Sequence, residues 1–353
     1  MKDLNYYLDY LESRIDVETE EQLLSDWRSF WLGKNSGEYF EAVRRQPAPA
    51  AIEWPQININ DAFESLELML ISELANVSRT LASPVGRIMN IRANYGTGIL
   101  PSLFGMKLFM MDRIHNTLPT AIPQGIEVIK PLLDAGIPGL NRSLGAKVFE
   151  TTAYFQDKIK NYPKVKKYIF IYHPDLQGPL DILELVWGSE FFMATFDEPR
   201  LVKDFLGLMT DTYIAFMDKY LDMVPPADRD FSAHWGLYIK GQIALRNDSA
   251  VNLSGEMYEE FVRPYDEKIL NRYNGGIIHY CGKGDHFVNS MCSINNLNAI
   301  HLSQPHLNDM EKVFSNSIDK GKRIVWLREN AVDDAIKAKR PLHGLVNRGP
   351  ENL

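Results

Sequence analysis

The sequence predicts an α/β fold, a (β/α)8 TIM barrel with an N-terminal helical extension. Apolar, β-branched runs alternate with amphipathic stretches along most of the chain. The last four runs are centred near residues 278, 300, 324 and 344, and a spacing of about 20–24 residues fits a strand, a loop, a helix and a second loop. The runs are nearly continuously apolar, as in a parallel sheet covered on both faces.

Seven apolar runs are predicted strands, and an eighth is weaker. The seven are "AIEWPQI", "GRIMNIRANYG", "KYIFIYHP", "GGIIHYCG", "LNAIHLS", "GKRIVWL" and "PLHGLV", and the eighth is "GLYIKGQIALRND". An open sheet and a closed barrel both fit this alternation, and a count of eight favours the barrel. We assign residues 1–48 to the helical extension and residues 49–353 to the barrel domain.

Three-to-four-residue spacing of apolar side chains predicts the helices. One long helix is expected from Glu198 to Met223, with Pro199 in its first turn, where a missing N–H costs nothing. A second is expected from residue 61 to residue 81. A shorter helix in "DMEKVFSNSIDKG" is expected to be capped by Asn308.

Composition limits the class of protein. The chain has 353 residues, is 45 % hydrophobic and 24 % charged, and carries a net charge of −8, so nothing points to nucleic acid or to an anionic membrane. Two cysteines fit a reducing compartment, and no stretch approaches the roughly 18 apolar residues of a membrane span. A cytoplasmic protein, monomeric or homodimeric, is therefore expected.

A histidine and a cysteine end one predicted strand. His279 and Cys281 are separated by one residue, so their side chains project to the same side of the strand. They lie at the carboxyl end, where the active sites of (β/α)8 barrels form. An imidazole beside a thiolate is a zinc-ligand pair. A lone pair at this spacing also arises by chance, and Cys281 acting as a nucleophile with His279 as its base remains an alternative.

Other polar residues near predicted strand ends can complete a site. His301, Glu329 and His343 follow or lie in the next three strands, and each offers a ligand atom. The residues alone leave the third zinc ligand open among these three, and Asp248 and His301 are candidate catalytic residues. The candidate substrate-binding residues are Asn94, His234 and Glu329, and Asp248 can equally serve as a loop cap.

Several segments, in order, resemble the uroporphyrinogen decarboxylase superfamily, which includes the cobalamin-dependent methyltransferases. The segments are "GILPSLFGM", "LQGPLDILELVWG", "DSAVNLSGEMYEEFVRPYDEKIL" and "PLHGLVNRGPENL", and the third is the most specific. The resemblance covers the chain from about residue 50 to its end. It implies a (β/α)8 barrel.

The two branches of this superfamily differ in their residues. The decarboxylase branch has an arginine-rich loop after the first strand, an Asp after the second, a Tyr after the third and a His on the last. Here "AIEWPQININD" contains no arginine, and only His343 matches. A polycarboxylate tetrapyrrole needs cationic partners, so the resemblance is closer to the corrinoid (cobalamin) methyltransferase branch, whose His-x-Cys pair matches His279 and Cys281.

The resemblance implies a zinc-dependent methyltransferase that moves a methyl group between a small molecule and a corrinoid carried by a partner protein. In that branch the last zinc ligand is a Cys, and the resemblance places His343 at its position, so it implies a zinc site of His279, Cys281 and His343. A metal-free decarboxylase or lyase acting on another substrate is the alternative, and a non-enzymatic barrel that holds a corrinoid or tetrapyrrole is a third hypothesis. Zinc content and turnover with a methylated corrinoid distinguish them.

Overall fold

The protein is described here from a computed structural model over residues 2–350, and its central element is a six-stranded parallel sheet. The spatial order of this sheet is β1-β12-β11-β10-β9-β8. The strands are β1 Tyr39–Phe40, β2 Asn90–Ile91, β3 Leu108–Phe109, β4 Thr120–Ala121, β5 Phe170–Ile171, β6 Phe231–His234, β7 Leu237–Lys240, β8 Ile243–Arg246, β9 Gly276–Tyr280, β10 Leu297–Leu302, β11 Arg323–Arg328 and β12 Val346–Gly349.

Helices separate and cover these strands. They are α1 Leu4–Arg14, α2 Val17–Trp31, α3 Ile59–Glu64, α4 Leu66–Ala82, α5 Ile99–Leu103, α6 Ile129–Ala135, α7 Ser143–Ile159, α8 Pro163–Tyr168, α9 Pro179–Trp187, α10 Phe191–Asp197, α11 Pro199–Met223, α12 Gly255–Phe261, α13 Arg263–Arg272, α14 Val288–Cys292, α15 Met310–Asn316 and α16 Glu329–Lys337. The predicted long helix at Glu198 is α11, which begins at Pro199 and ends at Met223. The short helix α15 is capped by Asp309 rather than Asn308.

Eight parallel strands are present, in two hydrogen-bonded groups. Six form the main sheet, and β2 pairs with β5 in a separate parallel ladder. The pairs β3–β4 and β6–β7 are antiparallel. Over residues 2–350 the ladders do not close into one ring, so the structure establishes an α/β fold with a parallel sheet and leaves the closed barrel as a prediction.

Several sequence predictions about elements are wrong, and the run "PLHGLV" holds only the first residue of β12, Val346. Residues 51–57, read as the first strand, form no strand or helix, and the strand that pairs with the end of the chain is β1 at residues 39–40. The helix expected over residues 61–81 is two helices, α3 and α4, because Ser65 is extended and caps the second. Its hydroxyl accepts a hydrogen bond from the N–H of Leu68.

The first 48 residues pack into the same core as the rest of the chain. Helix α2 buries Trp27 and Trp31, whose indole N–H groups donate to the carbonyls of Gly86 and Tyr238. Strand β1 also falls within this range and pairs in parallel with β12. The range 1–48 therefore supplies an edge strand of the main sheet as well as helices.

Candidate functional site

A cavity of about 720 Å³ opens beside the carboxyl ends of strands from both parallel ladders. His279 and His301 lie near the ends of β9 and β10, Cys281 and Ser303 directly follow these strands, and all four line the cavity. Carboxyl ends of parallel strands meet at one edge of a sheet. The cavity therefore stands where the sequence predicts the active site.

His279 and Cys281 converge with Asp248 in the wall of this cavity. The Nε2 atom of His279 lies 3.3 Å from Sγ of Cys281 and 3.5 Å from Oδ1 of Asp248. One ligand atom from each residue lies within 4.8 Å of the others. An imidazole, a thiolate and a carboxylate leave the fourth position of a tetrahedral zinc open, as in catalytic zinc sites. The donor set thus fits zinc.

Strand register brings Asp248 to Cys281. Strands β8 and β9 pair in parallel with Arg246 opposite His279, so the residue two positions past Arg246 falls opposite Cys281. Oδ1 of Asp248 accepts a hydrogen bond from the N–H of Cys281 at 2.8 Å. This contact holds the two segments together at their strand ends.

A buried carboxylate on the neighbouring helix α9 fixes the turn that carries Asp248. Asp181 accepts hydrogen bonds from the backbone N–H groups of Asp248 and Ser249, at 3.0 and 2.8 Å. Burial is the larger cause that raises the pKa of Asp181 to about 8, and the nearby Asp248 carboxylate adds to it. The "GPLDILELVWG" segment that carries the family resemblance therefore supports the site through Asp181.

His301 orients the ring of His279. The Nδ1 atoms of the two histidines lie 3.1 Å apart, because His301 stands opposite His279 in the register of β9 and β10. Burial lowers the pKa of His279 to about 3 and that of His301 well below its usual range, so both rings are neutral. With Nδ1 of His279 engaged by His301, its Nε2 faces Cys281 and Asp248.

Cys281 is partly buried, and its thiol has an unfavourable setting for ionisation without a cation. Burial raises the pKa of this thiol most, and the Asp248 carboxylate raises it further. Ser303 Oγ lies 3.5 Å from its Sγ and favours the anion weakly. A reactive cysteine nucleophile has a lowered pKa, whereas a metal ligand is deprotonated by the ion it binds. The geometry therefore favours a ligand role over a nucleophile.

His343 is not brought to this site. Its strand, β12, begins only at Val346, so His343 precedes the strand and lies at its amino end, away from the carboxyl ends where the cavity opens. The side chain is 53 % exposed, and Nε2 lies 3.7 Å from Asp319. The family resemblance implies His343 as the third zinc ligand, whereas in the structure Asp248 lies beside His279 and Cys281.

The remaining predicted residues differ in position. Asn94 lines the cavity, and its Oδ1 atom is buried without a hydrogen-bond partner. His234 is 1 % exposed and packs on His173, with ring centroids 4.2 Å apart; its neighbour Trp235 faces the cavity instead. Glu329 begins helix α16 and lies 3.5 Å from Arg348, outside the cavity.

Sequence analysis missed the cations of the cavity. The missed residues are Arg79, Arg87, Arg92 and Arg246. Arg246 is the last residue of β8, and Arg92 comes directly after β2, so charged residues at strand ends were the available signal. The decarboxylase resemblance predicts cations in a loop after the first predicted strand, whereas the arginines of the cavity come from other segments.

Comparison with known proteins adds a structural likeness. A scan against protein-family models finds no match, and a search of curated proteins finds no similar sequence. Among solved structures, the chain is similar to a methyltransferase from Methanosarcina mazei, with a TM-score of 0.61 and 16 % sequence identity. The match covers 93 % of this chain and 92 % of that one. At this identity the likeness establishes the fold over nearly the whole chain.

Proposed function

We propose that the protein is a zinc-dependent methyltransferase that transfers a methyl group between a small substrate and a corrinoid carried by a partner protein. The observation that carries the proposal is the convergence of the ligand atoms of His279, Cys281 and Asp248 beside a large cavity. The family resemblance of the sequence and the full-length likeness to a solved methyltransferase support it.

The proposed zinc ligands are Nε2 of His279, Sγ of Cys281 and a carboxylate oxygen of Asp248. Zinc held there supplies the Lewis acidity that favours the anion of a substrate thiol or alcohol at neutral pH. When Nδ1 of His279 donates its hydrogen to Nδ1 of His301, the metal-facing Nε2 of His279 is the unprotonated nitrogen. We assign His301 this positioning role, and Asn94 a contact with the substrate, since its unpaired oxygen faces the cavity.

Metal content is the first test. We would measure zinc by plasma mass spectrometry in protein purified without chelators or a histidine tag. We expect about one zinc per chain in the wild type. Cys281→Ser and Asp248→Asn should each lower zinc affinity by at least tenfold, since each removes a charged ligand.

His343→Ala is the matched control, because His343 was the ligand predicted from sequence and lies on Asp319. It should retain zinc like the wild type. Zinc loss in His343→Ala with retention in Asp248→Asn would overturn the ligand set. A wild type that stays free of zinc in excess zinc would sink the mechanism. Methyl transfer from a methylated corrinoid to small thiols is the next assay.

A metal-free decarboxylase or lyase is the second candidate, and the arginines of the cavity favour it. Four arginines line the wall together with the carboxyl of Glu73, and burial raises the pKa of Glu73. Cations that hold a carboxylate beside a protonated acid suit decarboxylation, in which CO2 leaves and the acid gives its proton to the carbon that carried the carboxylate. Release of carbon dioxide by zinc-free protein, undiminished in Cys281→Ser, would support this candidate over the first.

A further inference from the structure

One cation of the cavity has no anionic partner. Arg87 lines the cavity, and its Nε atom is buried without a hydrogen-bond partner. Among the residues that the structure describes, no carboxylate contributes to the electrostatics of this guanidinium; burial lowers its pKa, and Tyr172 opposes that effect. A partly buried cation without a counter-ion destabilises the folded protein. An anionic ligand in the cavity would supply the missing counter-ion.

The fold builds a fitted place for this guanidinium. It lies over the ring of Trp326, 4.7 Å from the centroid. On another side stands Gly236, with φ +82°, where an added Cβ would lie 2.9 Å from Nε of Arg87. Trp326 itself has φ +53°, inside the register irregularity between β11 and β12. Two uncommon backbone conformations thus flank one arginine.

The neighbouring arginines leave the cavity positive. Arg92 and Arg246 share the carboxylate of Asp175, at 3.1 and 2.6 Å. Burial disfavours the charged form of Glu73. The four arginines face the carboxylates of Glu73, Asp175 and Asp248, so at least one positive charge stays uncompensated even when all three carboxylates are ionised. A neutral or cationic substrate would leave this charge unpaired on entering.

We propose that the cavity binds a small organic acid, whose oxyanion group pairs with the guanidinium of Arg87 while the rest of the molecule extends along the wall that ends at Cys281. Arginine presents a planar pair of donors that matches a carboxylate. The buried amide nitrogen of Asn90, also without a partner, is a further donor on the same wall. This inference rests on the proposed function and names its substrate class, but the pairing of the oxyanion with Arg87 does not require the metal.

The test is a comparison of acids with their neutral amides. Propionate and propionamide would be titrated into metal-free protein at fixed ionic strength, followed by the fluorescence of the cavity tryptophans and by melting temperature. We expect wild type to bind propionate at least tenfold more tightly than propionamide. Arg87→Met should reduce this preference to less than twofold, because it keeps the packing stem and removes the charge.

Controls separate Arg87 from general charge. Arg200→Met removes an arginine whose side chain is 95 % exposed at the start of α11, and should leave the preference unchanged. If Arg87→Met does not fold, Arg87→Gln serves the same comparison. Equal binding of acid and amide by the wild type, or an undiminished preference in the folded Arg87 variant, would overturn the inference. Inorganic phosphate binding alone, with no response to propionate, would also overturn it.

A second arm joins this inference to the metal. With zinc present, 3-mercaptopropionate should bind more tightly than 3-mercaptopropionamide, and Arg87→Met should remove the difference. Because the first arm uses metal-free protein, the two proposals fail separately. An acid preference in protein that takes up no zinc even from excess zinc would refute the proposed function and keep this inference, whereas zinc uptake without an acid preference would do the reverse.

Discussion

At the scale of single residues, a buried carboxyl stands behind the loop that carries the candidate ligand Asp248. Asp266 is 0 % exposed, and its Oδ2 accepts a hydrogen bond from the side chain of Asn247, which precedes Asp248. Tyr258 also donates to it, and Oδ1 has no partner. Burial raises its pKa from 3.8 to about 7. The protonated acid is therefore the form that the fold prefers.

Asp266 should make stability fall as pH rises. The folded state binds a proton that the unfolded state has lost above pH 3.8, so this contribution to the free energy of unfolding is fully present at low pH and is lost as pH rises through about 7. We expect Asp266→Asn to be more stable than the wild type at pH 8, by about 1–4 kcal/mol, with little difference at pH 5.

Urea unfolding of both proteins between pH 5 and pH 8 measures this difference. Asp157→Asn is the control, because Asp157 is solvent-exposed and its carboxylate is already satisfied by Lys160; it should follow the wild type at every pH. A difference between Asp266→Asn and the wild type that does not change with pH would contradict the assignment.

At the scale of elements, strand β9 depends on a glycine at its first position. Gly276 stands opposite Ile243 in β8, and an added Cβ would lie 1.9 Å from the carbonyl oxygen of Ile243. Only a residue without a side chain lets the two strands pair at this point. The same pairing sets the register that brings Asp248 to Cys281.

We expect Gly276→Ala to lower the free energy of unfolding by about 3 kcal/mol or more, through forced separation of β8 and β9. Gly207→Ala is the matched control. Gly207 lies in the middle of α11, where an added Cβ meets nothing within 4 Å, so it should raise stability by about 0.5–1 kcal/mol. Urea midpoints check both values, and equal effects at the two sites would refute the steric argument.

At the scale of the whole molecule, a buried ion pair within the N-terminal range contacts the segment that leads into β2 and lines the cavity. Arg44 and Glu20 pair through two contacts, at 2.9 and 3.1 Å, with side chains 0 % and 5 % exposed. Arg44 also donates to the carbonyl of Arg87 at 2.7 Å. The range 1–48 thus reaches the backbone of the cation that we propose to bind substrate.

Arg44→Met should destabilise the protein by about 3–5 kcal/mol, because it leaves the Glu20 carboxylate buried without its partner. The adjacent Arg45→Met is the control, since Arg45 is 64 % exposed and lies 3.9 Å from Asp26; it should change stability by less than about 1 kcal/mol. Denaturation curves of the two variants make the comparison, and similar losses in both would contradict a special role for the buried pair.

Among the regions that the structure describes, no helix combines the length and apolar character needed to cross a membrane. The cellular compartment, the corrinoid partner and the oligomeric state stay predictions.

Local patterns predicted the elements whose cause is local. Three of the four runs near the end of the chain coincide with β9, β10 and β11, whereas "PLHGLV" reaches only the first residue of β12, and the three- and four-residue spacing gave α11 nearly to the residue. The errors fall where neighbours in space decide. Residues 51–57 are apolar enough for a strand, yet β1 at residues 39–40 occupies the position beside β12.

The sequence by itself determined that His279 and Cys281 share one face of a strand end, because side chains alternate with a period of two whatever the strand pairs with. Only the tertiary structure decided that Asp248 and His301 stand beside them and that His343 does not. Register decides this, since a shift of one residue between strands turns every side chain to the other face. Arg246 likewise comes from a segment far in sequence from the other cavity arginines, Arg79, Arg87 and Arg92, and no local pattern specifies their meeting.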